Sequence, residues 1–230
     1  MSLRSLPSLP QKTQLVIFGC SIIALGSFLF RPPKLVKQKQ QMEQRGPEAI
    51  WFGGGSWAST FHAGVLSGLI EKHGSEKVSS WKAGGCSAGA AVAMGMLLGK
   101  SEFEFLTFFA NLAERARRLG VIRKMSTYTN EFLRAWLPDD GDEYLFLTGK
   151  LFVCVTRFPT GNDIISTWTS NQDLRNTMNA TMCIPFYTNA EVLNIGGRYV
   201  ADGALTMDTF DIVPGATIKV SVYFERLSLH

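Results

Sequence analysis

The run Gly85-Cys86-Ser87-Ala88-Gly89 constrains this chain more than any other feature, because it places a serine between two glycines at a fixed spacing. Small residues on both sides let the backbone bend sharply between a strand and a helix, so that the hydroxyl projects outward and the helix N-terminus points at it. Residues 78–83, Val-Ser-Ser-Trp-Lys-Ala, are predicted to form the short strand ahead of the turn. Residues 90–98, a run of alanine, valine, methionine, leucine and glycine, are predicted to form a buried helix behind it. Strand, glycine-flanked serine and helix in that order are the context in which such a serine acts as a nucleophile.

A serine needs a base, and the chain has three histidines, His62, His73 and His230. The usual hydrolase order of nucleophile, acid and then histidine leaves only His230, the last residue of the sequence, which is a poor place for a buried catalytic base. His62 lies in a small-residue stretch ahead of the serine, and His73 follows the charged pair Glu71-Lys72 on what reads as a helix surface. The pattern therefore argues against a Ser-His-Asp triad. Arg198-Tyr199-Val200-Ala201-Asp202-Gly203-Ala204 instead reads as a strand end carrying Asp202 into a glycine turn. A carboxylate beside a serine hydroxyl can take its proton during attack and return it to the leaving group. The competing reading of Asp202-Gly203 is a plain turn dipeptide.

A third element stands upstream. Ala49-Ile50-Trp51-Phe52 reads as a buried strand entering Gly53-Gly54-Gly55, with an apolar helix following. Consecutive glycines between strand and helix leave backbone N–H groups free to face a developing oxyanion. Phosphate binding is the other use of such a loop, but no Lys-Ser/Thr pair follows it and the G-x-G-x-x-G spacing is missing.

Glycine loop, Ser87 elbow and Asp202-Gly203-Ala204, in that order, resemble the patatin-like phospholipase family over residues 49–224. His62-Ala63-Gly64-Val65-Leu66, Leu147-Thr148-Gly149-Lys150-Leu151, Val153-Cys154-Val155-Thr156 and Cys183-Ile184-Pro185-Phe186-Tyr187 add to the resemblance, which is nearest the animal-type branch of triglyceride lipases and calcium-independent phospholipases. It implies a three-layer α/β fold with a largely parallel central sheet. It also implies a Ser–Asp dyad of Ser87 and Asp202, an oxyanion hole from Gly53, Gly54 and Gly55, and motif glycines Gly85, Gly89 and Gly203. The chemistry implied is hydrolysis of a lipid acyl ester, in a phospholipid or a triacylglycerol, through an acyl-enzyme with no metal and no cofactor. The family loop usually continues to a basic residue and a further glycine, or to a glycine alone, where this chain has Ala58 and Ser59. If the second position needs positive φ, serine is strained there. A catalytically silent lipid-binding protein of the same fold is the alternative that this departure keeps open.

Strands are predicted at residues 49–52, 78–82, 150–156, 163–167, 199–202 and 216–224, and helices at 60–73, 88–98, 102–119, 128–137 and 171–182. Alternation of this kind indicates an α/β domain, assigned to residues 47–230. Residues 1–46 read separately. Residues 15–30 form an uncharged, largely apolar run, close to the roughly 17–25 residues that span a bilayer. The run stays apolar through Phe28-Leu29-Phe30, which favours an uncleaved N-terminal membrane anchor over a signal peptide. Residues 1–46 carry seven Lys or Arg and one acid, whereas the rest of the chain carries sixteen basic and eighteen acidic residues. The basic excess is thus juxtamembrane, which fits anionic headgroups, argues against a nucleic-acid partner and places the catalytic domain on the cytoplasmic side of a membrane.

The cysteines, Cys20, Cys86, Cys154 and Cys183, show neither disulfide-scaffold nor metal-ligand spacing and read as buried thiols, with Cys86 a minor rival nucleophile. Phe103, Phe105, Phe108 and Phe109 read as helix core, with a lipid-facing surface as the competing use. The basic run Arg115, Arg117, Arg118, Arg123 and Lys124 reads as a solvated helix end, and the sequon Asn179-Ala180-Thr181 as incidental.

Overall fold

The computed structural model describes residues 49–189, 192–206, 213–216 and 218–222; the anchor and basic linker expected at residues 1–46 lie outside them. No helix among the described residues is long and apolar enough to cross a membrane. Strand β1 (Ala49–Phe52) leads through a single 3-10 turn (Ser56–Ser59) to helix α1 (Thr60–His73) and the short α2 (Ser75–Ser79). Then come β2 (Lys82–Cys86), α3 (Ala88–Leu97), α4 (Glu102–Leu119), α5 (Met125–Trp136) and α6 (Glu143–Leu147). The chain continues through β3 (Leu151–Arg157), β4 (Gly161–Ile165), α7 (Asn171–Thr181), β5 (Leu193–Ile195), β6 (Arg198–Asp202) and β7 (Ile218–Val220).

Local chemistry explains several boundaries. Ser101 caps α4 by accepting from the Glu104 N–H, while the Glu104 carboxylate accepts from the Ser101 N–H, a reciprocal capping box. Ser170 caps α7 by accepting from the Asp173 N–H at 3.1 Å. Residues 78–80 are helical or turn rather than the predicted strand. Gly74, at φ 83°, ends α1 and starts α2, and the hydroxyls of Ser79 and Ser80 donate to the carbonyls of Glu76 and Lys77, which stabilises a local turn. The strand lies further on, at Lys82–Cys86, and contains two glycines. Gly84 is tolerated because β3 presses against it: a Cβ there would lie 2.6 Å from the Phe152 carbonyl oxygen.

The sheet runs β5-β6-β3-β2-β1-β7, with β4 paired to β3. Pairings β7/β1, β1/β2 and β2/β3 are parallel, and β3/β4, β3/β6 and β5/β6 are antiparallel. The sheet is therefore mixed, not largely parallel as expected. Ile50 and Phe52 face one apolar core with the buried residues of α1, α3, α4, α5 and α7, whereas Ala49 and Trp51 face Cys86, Cys154 and Val213. Helices cover only the first of these faces among the described residues, so the third expected layer is not among them. Helix α3 is buried from Gly89 to Leu97. Its small residues permit close packing: a Cβ on Gly95 would lie 2.2 Å from the Phe105 ring and 2.5 Å from that of Trp136.

Candidate active site

Register alone brings the two candidate catalytic residues together. β4 covers one edge of β3 at residues 153–157, so β2, which pairs with residues 151–154, and β6, which pairs with residues 155–157, share the other edge. β2 runs parallel to β3 and ends with Cys86 opposite Cys154. β6 runs antiparallel and ends with Asp202 opposite Val155. The two strands thus meet end to end, and Ser87 and Asp202 converge from opposite directions. β1 brings the glycine loop alongside, with Phe52 opposite Gly85.

Ser87 takes φ 53° and ψ −133°, a left-handed conformation that strains any residue with a Cβ and turns its side chain out of the strand. Its N–H donates to the Thr181 hydroxyl oxygen at 2.9 Å, and that hydroxyl donates to the Cys154 carbonyl at 2.5 Å. Buried Thr181 therefore ties the elbow to β3 from the end of α7. The flanking glycines are needed for space: a Cβ on Gly85 would sit 2.5 Å from the Ala90 nitrogen, and one on Gly89 would sit 2.3 Å from the carbonyl oxygens of Phe52 and Gly53.

Asp202 is 3% exposed, and burial raises its carboxyl from 3.8 to about 6. Hydrogen bonds from the Ser87 hydroxyl and the Ala204 N–H, the latter 2.9 Å from Oδ1, partly offset that rise by favouring the charged form. The main chain at Asp202 is fixed on both sides. Its N–H donates to the Cys183 carbonyl at 2.7 Å, and its carbonyl accepts from the Thr156 hydroxyl at 2.7 Å. Gly203 passes so close to β3 that a Cβ would lie 2.4 Å from the Cys154 carbonyl oxygen.

The glycine loop differs from expectation in one donor. The Gly53 N–H donates to the Val220 carbonyl at 2.8 Å, extending the β1/β7 pairing, so it is not free to face an oxyanion. The Gly54 N–H meets the Cys86 sulfur, a weak acceptor, and a Cβ on Gly54 would lie 3.6 Å from the Ser87 Cβ. Gly55 accepts from the Ala58 N–H at 2.9 Å, and its own N–H has no backbone partner among the described residues. Ser59 takes φ −67°, so the missing family glycine brings no strain there; Ser56, at φ 47°, is the strained position of the loop.

The other candidate bases and nucleophiles stand apart. His62 is fully buried against Phe52 and Phe61, neither ring nitrogen has a hydrogen-bond partner among the described residues, and burial lowers its pKa to about 4. His73 packs on Trp81. His230 lies outside the described residues. Burial pushes the Cys86 thiol up to about 12, which leaves it protonated and unreactive at neutral pH.

Ser87 and Asp202 sit in a cavity whose walls are mainly apolar: Phe108, Phe109 and Leu112 of α4, Phe132 of α5, and Met182 and Ile184 after α7. Trp57 and Tyr187, both partly exposed, stand at its edge. The aromatic cluster of α4 divides its work: Phe105 and Phe109 are buried, Phe108 and Phe109 line the cavity, and Phe103 is 77% exposed. Asn179 of the sequon donates to the Asn130 side chain at 2.7 Å, between α7 and α5.

Residues 50–213 match the family model for patatin-like phospholipases. The chain is similar to human "Patatin-like phospholipase domain-containing protein 4", 29% identical over 178 residues that cover 74% of this chain and 69% of that protein. It is similar to human "Omega-hydroxyceramide transacylase", 29% identical over 166 residues; that match covers 70% of this chain and 31% of the relative, so the chain spans about a third of its length. Among solved structures, VipD from Legionella pneumophila superposes with a TM-score of 0.41 and 14% identity, covering 78% of this chain and 51% of that one.

Proposed function

The chain belongs to the patatin-like phospholipase family, and from that premise we propose that it is a lipid acyl hydrolase working through a Ser87–Asp202 dyad and an acyl-enzyme. The Ser87 oxygen attacks the ester carbonyl carbon as its proton passes to the Asp202 carboxylate. The carbonyl electron pair moves onto oxygen, facing the Gly55 N–H and the N-terminus of α3. Collapse expels the alcohol, which takes the proton from Asp202 and leaves the acyl group on Ser87. Water then attacks that ester, giving its proton to Asp202, and collapse frees the carboxylic acid and returns the proton to Ser87. A base at about 6 is mostly ionised at neutral pH yet close enough to it to exchange protons efficiently.

The observation that carries this reading is the end-to-end meeting of β2 and β6 along β3, which sets a strained serine beside a buried carboxylate in an apolar cavity. The apolar lining suits an acyl chain, and the small number of polar groups suits a reaction centred on one ester. Fatty-acid release from phosphatidylcholine vesicles and from a triacylglycerol emulsion tests it. Release by the wild type and none by Ser87→Ala is expected; equal release by both would overturn it, and lipid binding without release would favour the silent binding protein. Similarity to a transacylase supports a second outcome, in which a lipid hydroxyl replaces water in the deacylation step; a new ester formed from added alcohol would register it. The proposal extends to residues 1–46 as a membrane anchor with a basic linker and a cytoplasmic catalytic domain, tested by membrane partition of the full chain against residues 47–230.

A further inference from the structure

A second concavity lies behind the wall of the Ser87 cavity. It is a groove between α4 and α5, with Phe103, Tyr128, Ala135 and Trp136 among its lining. Phe108, Leu112 and Phe132 line both spaces. Phe108 and Phe132 stack with ring centroids 3.6 Å apart and planes 24° from parallel, so this ring pair, flanked by Leu112, stands between the groove and the Ser87 cavity. The volumes are unequal: about 90 Å³ on the Ser87 side and about 350 Å³ in the groove. The groove thus offers space on the far side of the stack, within a lining that also includes Glu104, Thr107 and Asn111. Arg115 and Glu131 form an ion pair across the outer part of this groove, with the Arg115 guanidinium 5.2 Å from the Tyr128 ring.

Resting on the hydrolase reading above, we propose that the Phe108–Phe132 stack sets the acyl-chain length this site accepts, and that the α4–α5 groove behind it takes the distal methylenes of longer chains once the stack is opened. Continuity carries the assignment: the same three side chains wall both spaces, and a chain with its carbonyl at Ser87 has apolar contacts in that direction. Phe108 is the movable member. It is only partly buried, whereas Phe132 is 8% exposed and also packs on Trp136 with centroids 4.2 Å apart. The wild type thus favours chains that end at the stack, because a longer chain must displace the Phe108 ring before gaining contacts beyond it.

Two variants move the barrier in opposite directions. Phe108→Ala joins the spaces and Phe108→Trp enlarges the barrier; Leu106→Ala, on α4 but lining neither space, is the control. The first readout is kcat/KM for p-nitrophenyl esters from butyrate to palmitate. The second is the affinity of the matching fatty acids, measured by displacement of a fluorescent fatty acid. Each methylene newly buried is worth roughly four-fold in affinity, so Phe108→Ala should raise the palmitate-to-butyrate ratio by more than about ten-fold. Phe108→Trp should lower that ratio, and the control should leave it unchanged. Turnover with the same length profile in all folded variants would overturn the inference while leaving the hydrolase reading intact. No turnover by the wild type, with a fatty-acid affinity profile that still shifts in Phe108→Ala, would sustain the inference and sink the hydrolase reading.

Discussion

Replacing Thr181 by valine keeps the shape of a fully buried side chain and removes the hydroxyl that links the Ser87 N–H to the Cys154 carbonyl. Each such bond contributes about 0.5–1.5 kcal/mol net, so losing both should cost about 1–3 kcal/mol of folding stability. For a domain of this size that corresponds to a fall in Tm of about 2–12 °C. The effect on turnover should be larger than a general loss of stability explains. The left-handed conformation of Ser87 stores about 1–3 kcal/mol of strain, and the Thr181 bond helps to impose it. If the elbow relaxes, the hydroxyl leaves Asp202, and kcat should fall about 10- to 100-fold, at 1.36 kcal/mol per decade, with little change in KM. Calorimetry and ester kinetics on wild type, Thr181→Val and Thr181→Ser separate the two effects. Thr181→Ser, which restores the hydroxyl, should recover most of the activity. A Thr181→Val protein that matches the wild type in Tm and kcat would show that the Thr181 hydroxyl neither stabilises the fold nor holds the elbow.

Turnover should depend on Asp202 with a sign opposite to stability: kcat/KM rises with pH through a midpoint near 6 and stays level above it, and a profile flat between pH 4 and 8 would exclude Asp202 as base. Because burial raises this carboxyl from 3.8 to about 6, its contribution to stability is greatest below about pH 4 and is lost as pH climbs through 6. Asp202→Asn should therefore be inactive yet more stable than wild type at pH 8, by up to about 3 kcal/mol, in urea titrations. Gly89→Ala forces a Cβ against two β1-end carbonyls and should destabilise by more than about 3 kcal/mol, read as lost soluble expression or a collapsed Tm. Ser56→Gly relieves the positive φ of the glycine loop and should raise stability by about 0.5–1 kcal/mol, checked by thermal unfolding.

The candidate site is legible in the spacing: glycines two residues from Ser87 and one after Asp202 mark turns whose neighbours leave no room for a Cβ. Elements with clear end signals were legible to the residue. α4 begins after its capping box at Ser101, and α1 ends at Gly74. β2 lies several residues beyond its predicted position because glycines count against a strand in isolation, while here Gly84 lets β3 and Val213 approach and Gly85 makes room for the start of α3. The mixed character of the sheet was hidden for a different reason. The direction in which β6 joins β3 is a long-range choice with no local residue signature, although it is what delivers Asp202 to Ser87. Thr181 has no sequence signal, because a threonine at a helix end carries no motif; only its two hydrogen bonds reveal it. Gly53 shows the limit of the glycine signal, since a glycine N–H can be taken up by a neighbouring strand as readily as by a substrate.

The central claim is that Ser87 is activated by Asp202. Labelling of the purified protein with a fluorophosphonate probe, with the modified residue mapped by mass spectrometry, tests it most directly. A phosphonate adduct on Ser87 is expected in the wild type, none in Ser87→Ala, and sharply slower labelling in Asp202→Asn. A folded wild-type protein that takes up no probe, or that is labelled equally fast without Asp202, would contradict it.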